Sequence, residues 1–241
     1  MSVALNRAVR YGIHNYLRAA GILLLVMLLI PLALWVMLAM LGGSGSNFNG
    51  YSLSVGVFGF VLGMVGIREN LRMLNQNGVS RRTAFLAEIV SQAVVAVLAV
   101  YRALPGLMAR VEVSDVYQLL YEGADMGPAG YLRTAVFSAA MAFSLAGVGQ
   151  FWSVLYWRLS KFWTVIVSIA IPLVLIFGPA AVLTAVGDTP AGEAIVRVLA
   201  ALGRFFIGSV WNAALVFLAV AAVSFALSWL LVRRAVIRGA K

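Results

Sequence analysis

Polar and apolar positions in this chain are sorted into long blocks. Uncharged, strongly apolar runs cover 19 to 67, 134 to 157, 162 to 187 and 205 to 232. A bilayer core of about 30 Å is crossed by about 20 helical residues, so the first run holds two crossings, separated by Gly42-Gly43-Ser44-Gly45-Ser46-Asn47. A further apolar block, near 83 to 104, carries Glu88 close to one end and Arg102 close to the other. The pattern predicts six transmembrane helices near 20 to 41, 50 to 67, 83 to 104, 133 to 156, 162 to 186 and 208 to 232. Strands of a membrane barrel would instead alternate apolar and polar residues over about 10 positions. The expected fold class is all-α and polytopic, with residues 1 to 241 forming a single transmembrane domain.

Between these blocks the pattern changes. Over residues 3 to 18, at about 100° per residue, Leu5, Val9, Ile13, Tyr16 and Leu17 share one face and Arg7, Arg10, His14 and Arg18 another. Such an amphipathic helix lies in the membrane interface with its bases toward anionic headgroups. It serves as a topology anchor, as a docking element for a cytoplasmic partner, or as both.

Residues 68 to 83 (Arg-Glu-Asn-Leu-Arg-Met-Leu-Asn-Gln-Asn-Gly-Val-Ser-Arg-Arg-Thr) form a basic, polar island between spans two and three. A short helix from Arg68 to Gln76 is expected to stop at Asn77-Gly78, where glycine takes a positive φ, and Ser80 then caps the start of span three. The segment is longer than a plain helical hairpin needs. Arginines here orient the chain in any case, and an ordered polar helix across the mouth of a hairpin is also a surface for a partner.

On the other side, 103 to 130 begins near Pro105 and includes an expected short helix from Ser114 to Glu122. A second amphipathic helix is expected over 190 to 203, with Thr189 as N-cap, Pro190 at its first position, Ile195, Val198, Leu199 and Leu202 on one face, and Gly203 as its stop. Pro31 and Pro172 are expected to kink spans one and five. Gly56, Gly59, Gly63, Gly66, Ala139 and Ala140 would allow close helix approach. Gln92, Gln150 and Asn212 read first as hydrogen-bonding groups between helices.

Composition and charge agree with the blocks. Hydrophobic residues make up 63% and charged residues 11%, against about 25% charged in soluble domains, and the mean hydropathy is +1.00. Of the 18 basic residues, 13 fall on one side of the six-span arrangement, including both terminal segments, and six of the eight acids fall on the other. By the positive-inside rule the basic side, with both termini, is cytoplasmic. The net charge of +10 is therefore a topology signal and does not point to nucleic acid. The first apolar run is long enough to span and lacks a small-residue cleavage site, so no cleaved signal peptide is expected. The absence of cysteine and the single His14 remove disulfides, thiolate metal sites, thiol catalysis and histidine-based triads.

Six spans with both termini inside, an interfacial N-terminal helix, a polar helix between spans two and three and an amphipathic helix between five and six together resemble the permease subunits of ABC-2 type (type V) exporters. Arg68-Glu69-Asn70 and Gln76-Asn77-Gly78-Val79-Ser80-Arg81-Arg82-Thr83 look like the inter-span segment of small bacterial permeases of this kind. The resemblance implies a multi-pass protein of the bacterial inner (plasma) membrane without catalytic residues. A pair of separate cytoplasmic ATPase subunits would bind the island, ATP and magnesium would sit on those subunits, and a second permease chain, identical or similar, would complete the pathway. This chain carries no phosphate-loop motif of its own. The implied ATPase contacts are Arg68, Glu69, Arg72, Asn75, Gln76, Asn77, Gly78, Arg81 and Arg82. Uncharged spans suit an amphipathic peptide, drug or lipid-like cargo.

Two other classes remain beside this one. An intramembrane enzyme would need paired carboxylates or a histidine near the membrane surface, whereas Glu69 and Glu88 form no such motif and Asp115, Glu122 and Asp125 are scattered loop acids. A non-transporting integral membrane partner, such as an assembly or immunity subunit, would use the same island to dock a protein that hydrolyses nothing.

Overall fold

The computed structural model describes residues 3 to 40, 51 to 108, 120 to 121, 128 to 186 and 189 to 233. Among them are seven α-helices and no strand: α1 (Val3–Met40), α2 (Tyr51–Gln76), α3 (Arg81–Met108), α4 (Pro128–Arg158), α5 (Lys161–Val186), α6 (Pro190–Gly208) and α7 (Val210–Val232). Three stretches, Ser54–Gln76, Leu132–Arg158 and Val210–Val232, are long and apolar enough to cross a membrane. The expected turn at 42 to 47 and most of the expected helix at Ser114 to Glu122 lie outside the described residues.

The boundaries expected at residues 19 and 67 do not exist. The N-terminal amphipathic helix runs into the first apolar block as one helix, α1, because Leu17-Arg18-Ala19-Ala20 contains no residue that opposes helix propagation. Its apolar face meets protein: Val9 and Tyr16 are buried and Leu5 and Ile13 half-buried, with Arg7, Arg10, His14 and Arg18 left exposed. The separate short helix expected at 68 to 76 is likewise the last part of α2, which continues through Arg68 to Gln76.

The punctuation after it is as expected. Gly78 has φ +75°; the Val79 amide donates to the Leu74 carbonyl at 3.0 Å and the Gly78 amide to that of Asn75 at 3.1 Å. This double bond pattern is the Schellman motif, which satisfies the carbonyls a helix end leaves free. Ser80 Oγ accepts from the Thr83 amide at 3.2 Å and caps α3.

The most extensive packing is of α2 along α4, followed by α4 with α7 and α1 with α3. A Cβ at Gly59 or Gly63 would collide with the backbone carbonyls of Ala142 or Ala146, and one at Gly149 with that of Phe60. Four-residue spacing of small residues on both helices thus lets the two backbones touch, the usual route to tight packing of apolar helices. Toward the end of the bundle that carries Arg68 to Arg82, Ala8, Val9, Leu71, Phe85, Val154 and Val232 join α1, α2, α3, α4 and α7 in one apolar cluster, and Arg158 Nη2 donates to the Leu231 carbonyl at 2.8 Å. At the opposite end Phe137, Met141, Val210 and Ala213 join α4 to α7, with Phe206 of α6 packed on them.

Helices α5 and α6 are peripheral. Phe162, Trp163, Ile169, Leu173 and Phe177 of α5 are exposed in the single chain, and the hydroxyls of Tyr156 and Ser168 tie α5 to α4. Helix α6 starts as expected, with Thr189 Oγ1 accepting from the Gly192 amide at 3.1 Å. It does not stop at Gly203: the helix continues to Gly208, and Ser209 ends it and caps α7 by accepting from the Trp211 amide at 3.3 Å. Asn212 therefore has a local task, donating to the Phe205 carbonyl at 3.0 Å across this corner.

These contacts set apart two glycine substitutions. Gly63→Val should lower the thermal stability of the detergent-purified protein by about 1 to 3 kcal/mol or more, because the methyls meet backbone. Gly203→Ala, with nothing within 4 Å of the added Cβ, should leave it unchanged or slightly raised. Equal losses from the two would contradict the α2/α4 contact.

Candidate functional site

The island residues sort onto two faces of a fixed support. Arg68, Glu69, Arg72, Gln76, Asn77, Gly78, Arg81 and Arg82 are exposed, and Asn75 is half-buried. On the opposite face Asn70, Leu71 and Leu74 are buried. Asn77 Nδ2 donates to the Met73 carbonyl at 2.9 Å, which holds the turn. Asn75 Nδ2 is buried without a hydrogen-bond partner among the described residues. Eight of the nine expected contact residues thus lie together on the surface of one helix end and the start of the next.

Beneath that surface lies a polar centre assembled from four helices. Glu88 of α3 is 2% exposed. Its Oε1 accepts from the Tyr16 hydroxyl of α1 and from Gln92 Nε2, one turn along α3, at 2.8 Å. Its Oε2 accepts from Asn70 Nδ2 of α2 at 2.8 Å. Asn70 Nδ2 also reaches the Tyr16 hydroxyl oxygen at 3.0 Å. Gln92 Nε2 donates in addition to Gln150 Oε1 of α4 at 3.1 Å. Beside them Ser91 Oγ donates to the Ala87 carbonyl at 2.7 Å and is 3.2 Å from the Val9 carbonyl of α1.

The geometry follows from helical spacing. Glu88 and Gln92 are four residues apart and share a face, and Ser91 lies beside them toward α1. Gly66 leaves room for the Tyr16 ring, since a Cβ there would occupy the position of its hydroxyl. Tyr16 comes in on the apolar face of α1 and Asn70 on the buried face of α2, so the phenol and both amides converge on one carboxyl group. All three hydrogen-bond donors to that carboxyl are neutral side chains.

Chemically this arrangement orients and holds. Both carboxyl oxygens are occupied by donors, the ring of Tyr16 closes one side, and no group of three or more His, Cys, Asp or Glu suited to a metal occurs among the described residues. Gln92 and Gln150 join α3 to α4, as expected of hydrogen-bonding groups between helices; the convergence of Tyr16, Asn70 and Glu88 beside them is not expected from the sequence, where Tyr16 falls on an apolar face, Asn70 in the island and Glu88 near a span end. The available signal was Glu88, Ser91 and Gln92 on one stripe of an otherwise apolar helix.

The centre should respond unequally to its variants. Glu88→Leu strands three buried donors, each worth about 1 to 3 kcal/mol when left unpaired, although such bonds between membrane helices average nearer 0.6 kcal/mol. Glu88→Gln keeps an acceptor, and Tyr16→Phe removes one donor only. Thermal unfolding in detergent should therefore rank Glu88→Leu as clearly most damaging; equal effects of Glu88→Leu and Tyr16→Phe would contradict the convergence. Comparison with protein families, with characterised proteins and with solved structures finds no match to this chain.

Proposed function

We propose that this chain is the permease subunit of an ATP-driven exporter of the ABC-2 type, with six spans and both termini cytoplasmic, seated in a bacterial plasma membrane. The observation that carries this reading is the exposed basic face of residues 68 to 82 on a support fixed from below. Arg68, Arg72, Arg81 and Arg82 project from a helix end and a helix start joined by the Gly78 turn. An acidic groove on an ATPase subunit would pair with such a surface through charge-assisted hydrogen bonds. The chain would hydrolyse nothing itself; ATP and magnesium would be held by the partner pair, and a second permease chain would complete the pathway.

The connection inward supports the same reading. Asn70 stands on the island's buried face and bonds both Glu88 and Tyr16, so a displacement of the island would be felt by α1 and α3 together, and by α4 through Gln92 and Gln150. The exposed apolar faces of α5 and α6 suit lipid or the second permease chain. Cargo of amphipathic peptide, drug or lipid type fits spans without charged walls.

Purification in mild detergent from the native host, with mass spectrometry and an ATP hydrolysis assay, tests the proposal. A stoichiometric subunit with a phosphate loop is the expected companion. A complex with no nucleotide-binding subunit would instead favour a non-transporting membrane partner. The double variant Arg72→Glu/Arg82→Glu should reach the membrane in normal amount and lose at least about 10-fold in ATPase recovery, which corresponds to about 1.4 kcal/mol. Undiminished recovery would remove the island from the interface.

A further inference from the structure

The middle of α6 stands clear of the bundle. Every residue from Glu193 to Leu202 is exposed in the chain, and nothing lies within 4 Å of a Cβ built at Gly203. The helix is attached at its ends. Gly192 is buried next to the Thr189 cap; at the other end Phe206 packs on the cluster of α4 and α7, and the Tyr121 hydroxyl donates to the Phe206 carbonyl at 2.9 Å.

The exposed part is nevertheless two-sided. At 3.6 residues per turn, Ile195, Leu199 and Leu202 lie within about 40° of Phe206 around the helix, and Arg197 and Arg204 lie about 160 to 180° from it. Glu193, whose Oε2 is 3.9 Å from Arg197 Nη2, shares the arginine side. The direction of the apolar side is fixed by Phe206. Its ring meets that of Phe217 with centroids 5.5 Å apart and planes at 83°, and Phe217 stands two turns inside α7. The face that carries Ile195, Leu199 and Leu202 therefore points the way α7 runs.

The level of α6 follows from α7. One extended residue, Ser209, joins the two helices. Helix α7 has 23 residues, which at 1.5 Å per residue is about 35 Å, against a hydrocarbon core of about 30 Å. It thus enters the core within its first turn, where Trp211 is exposed and offers the amphipathic ring that settles at a membrane boundary. Beyond the edge of the bundle at that depth, the surface continued by Trp211 and Leu215 of α7 is also exposed and apolar.

We propose that α6 is a phospholipid-binding helix lying in the membrane surface at the end of the bundle opposite the island. Ile195, Leu199 and Leu202 enter the acyl layer, and Arg197 and Arg204 face phosphates and water, as in helices that bind lipid with one apolar and one basic side. Phe206 continues the same face onto the bundle, so lipid on one side and protein on the other hold the start of α7 at a fixed depth. The inference rests on α7 crossing a bilayer and is independent of the transport reading.

Spin labelling of the full chain in phospholipid nanodiscs tests it. The chain has no cysteine of its own, so Leu199→Cys, Leu202→Cys, Ala200→Cys and Ala201→Cys each carry one label, all at exposed positions. Oxygen concentrates in the acyl layer and a nickel chelate stays in water. The ratio of oxygen to nickel collisions should be several-fold higher at positions 199 and 202 than at 200 and 201. Equal nickel access at all four would put α6 in water, and poor access of both reagents at 199 and 202 would put that face against protein, such as a second copy of this chain; either result overturns the proposal.

Discussion

A carboxyl group removed from water must be given hydrogen-bond donors, and the arrangement of this bundle around Glu88 answers that requirement. The donors come from α1, α2 and α3 itself: the Tyr16 hydroxyl, Asn70 Nδ2 and Gln92 Nε2. Each must arrive within bonding distance and at a suitable angle, so the three helices are held in register at one level. Apolar packing alone does not specify register so sharply, because one aliphatic contact replaces another at small cost.

The close approach of α2 to α4 is the second constraint, and it acts on the first. Gly59, Gly63 and Gly149 bring the two backbones together, which sets Gln150 of α4 beside Gln92 of α3. Gly66, one turn further along α2, makes the room that Tyr16 occupies. The same glycine-bearing face of α2 therefore seats one helix by backbone contact and admits a phenol from another. Helices α5 and α6 take no part in this; α5 is tied by a hydroxyl pair, and α6 by the packing of Phe206, the Asn212–Phe205 hydrogen bond and the capped corner at Ser209. Their exposed apolar faces belong to whatever surrounds the chain in a membrane.

Much of the architecture was legible because it is written in local chemistry. Gly78, Ser80, Thr189 and Pro190 each act as helix punctuation requires, and the amphipathic face of residues 3 to 18 has the predicted members. What failed was the assumption that a change from polar to apolar composition ends a helix. No such break occurs at residue 19, where nothing in the backbone chemistry opposes propagation, or at residue 67, where the helix continues past Gly66, and Gly203 does not end α6. The polar centre was hidden for another reason. Its members are 72 residues apart for Tyr16 and Glu88 and 58 for Gln92 and Gln150, and only tertiary packing brings them together. The island's exposed and buried faces were separable in principle by helical phase, had Asn70 been placed with Leu71 and Leu74.

Joined in this way, the basic island is the outer face of a unit whose inner face is the Glu88 centre. Amide hydrogen exchange in nanodiscs, comparing the unaltered chain with Glu88→Leu, tests that unity most directly. Protection should fall together in residues 11 to 20 of α1, 64 to 76 of α2 and 84 to 95 of α3, with α5 unchanged. A loss confined to the turns of α3 around residue 88 would contradict it and leave the island mechanically separate from the helices beneath.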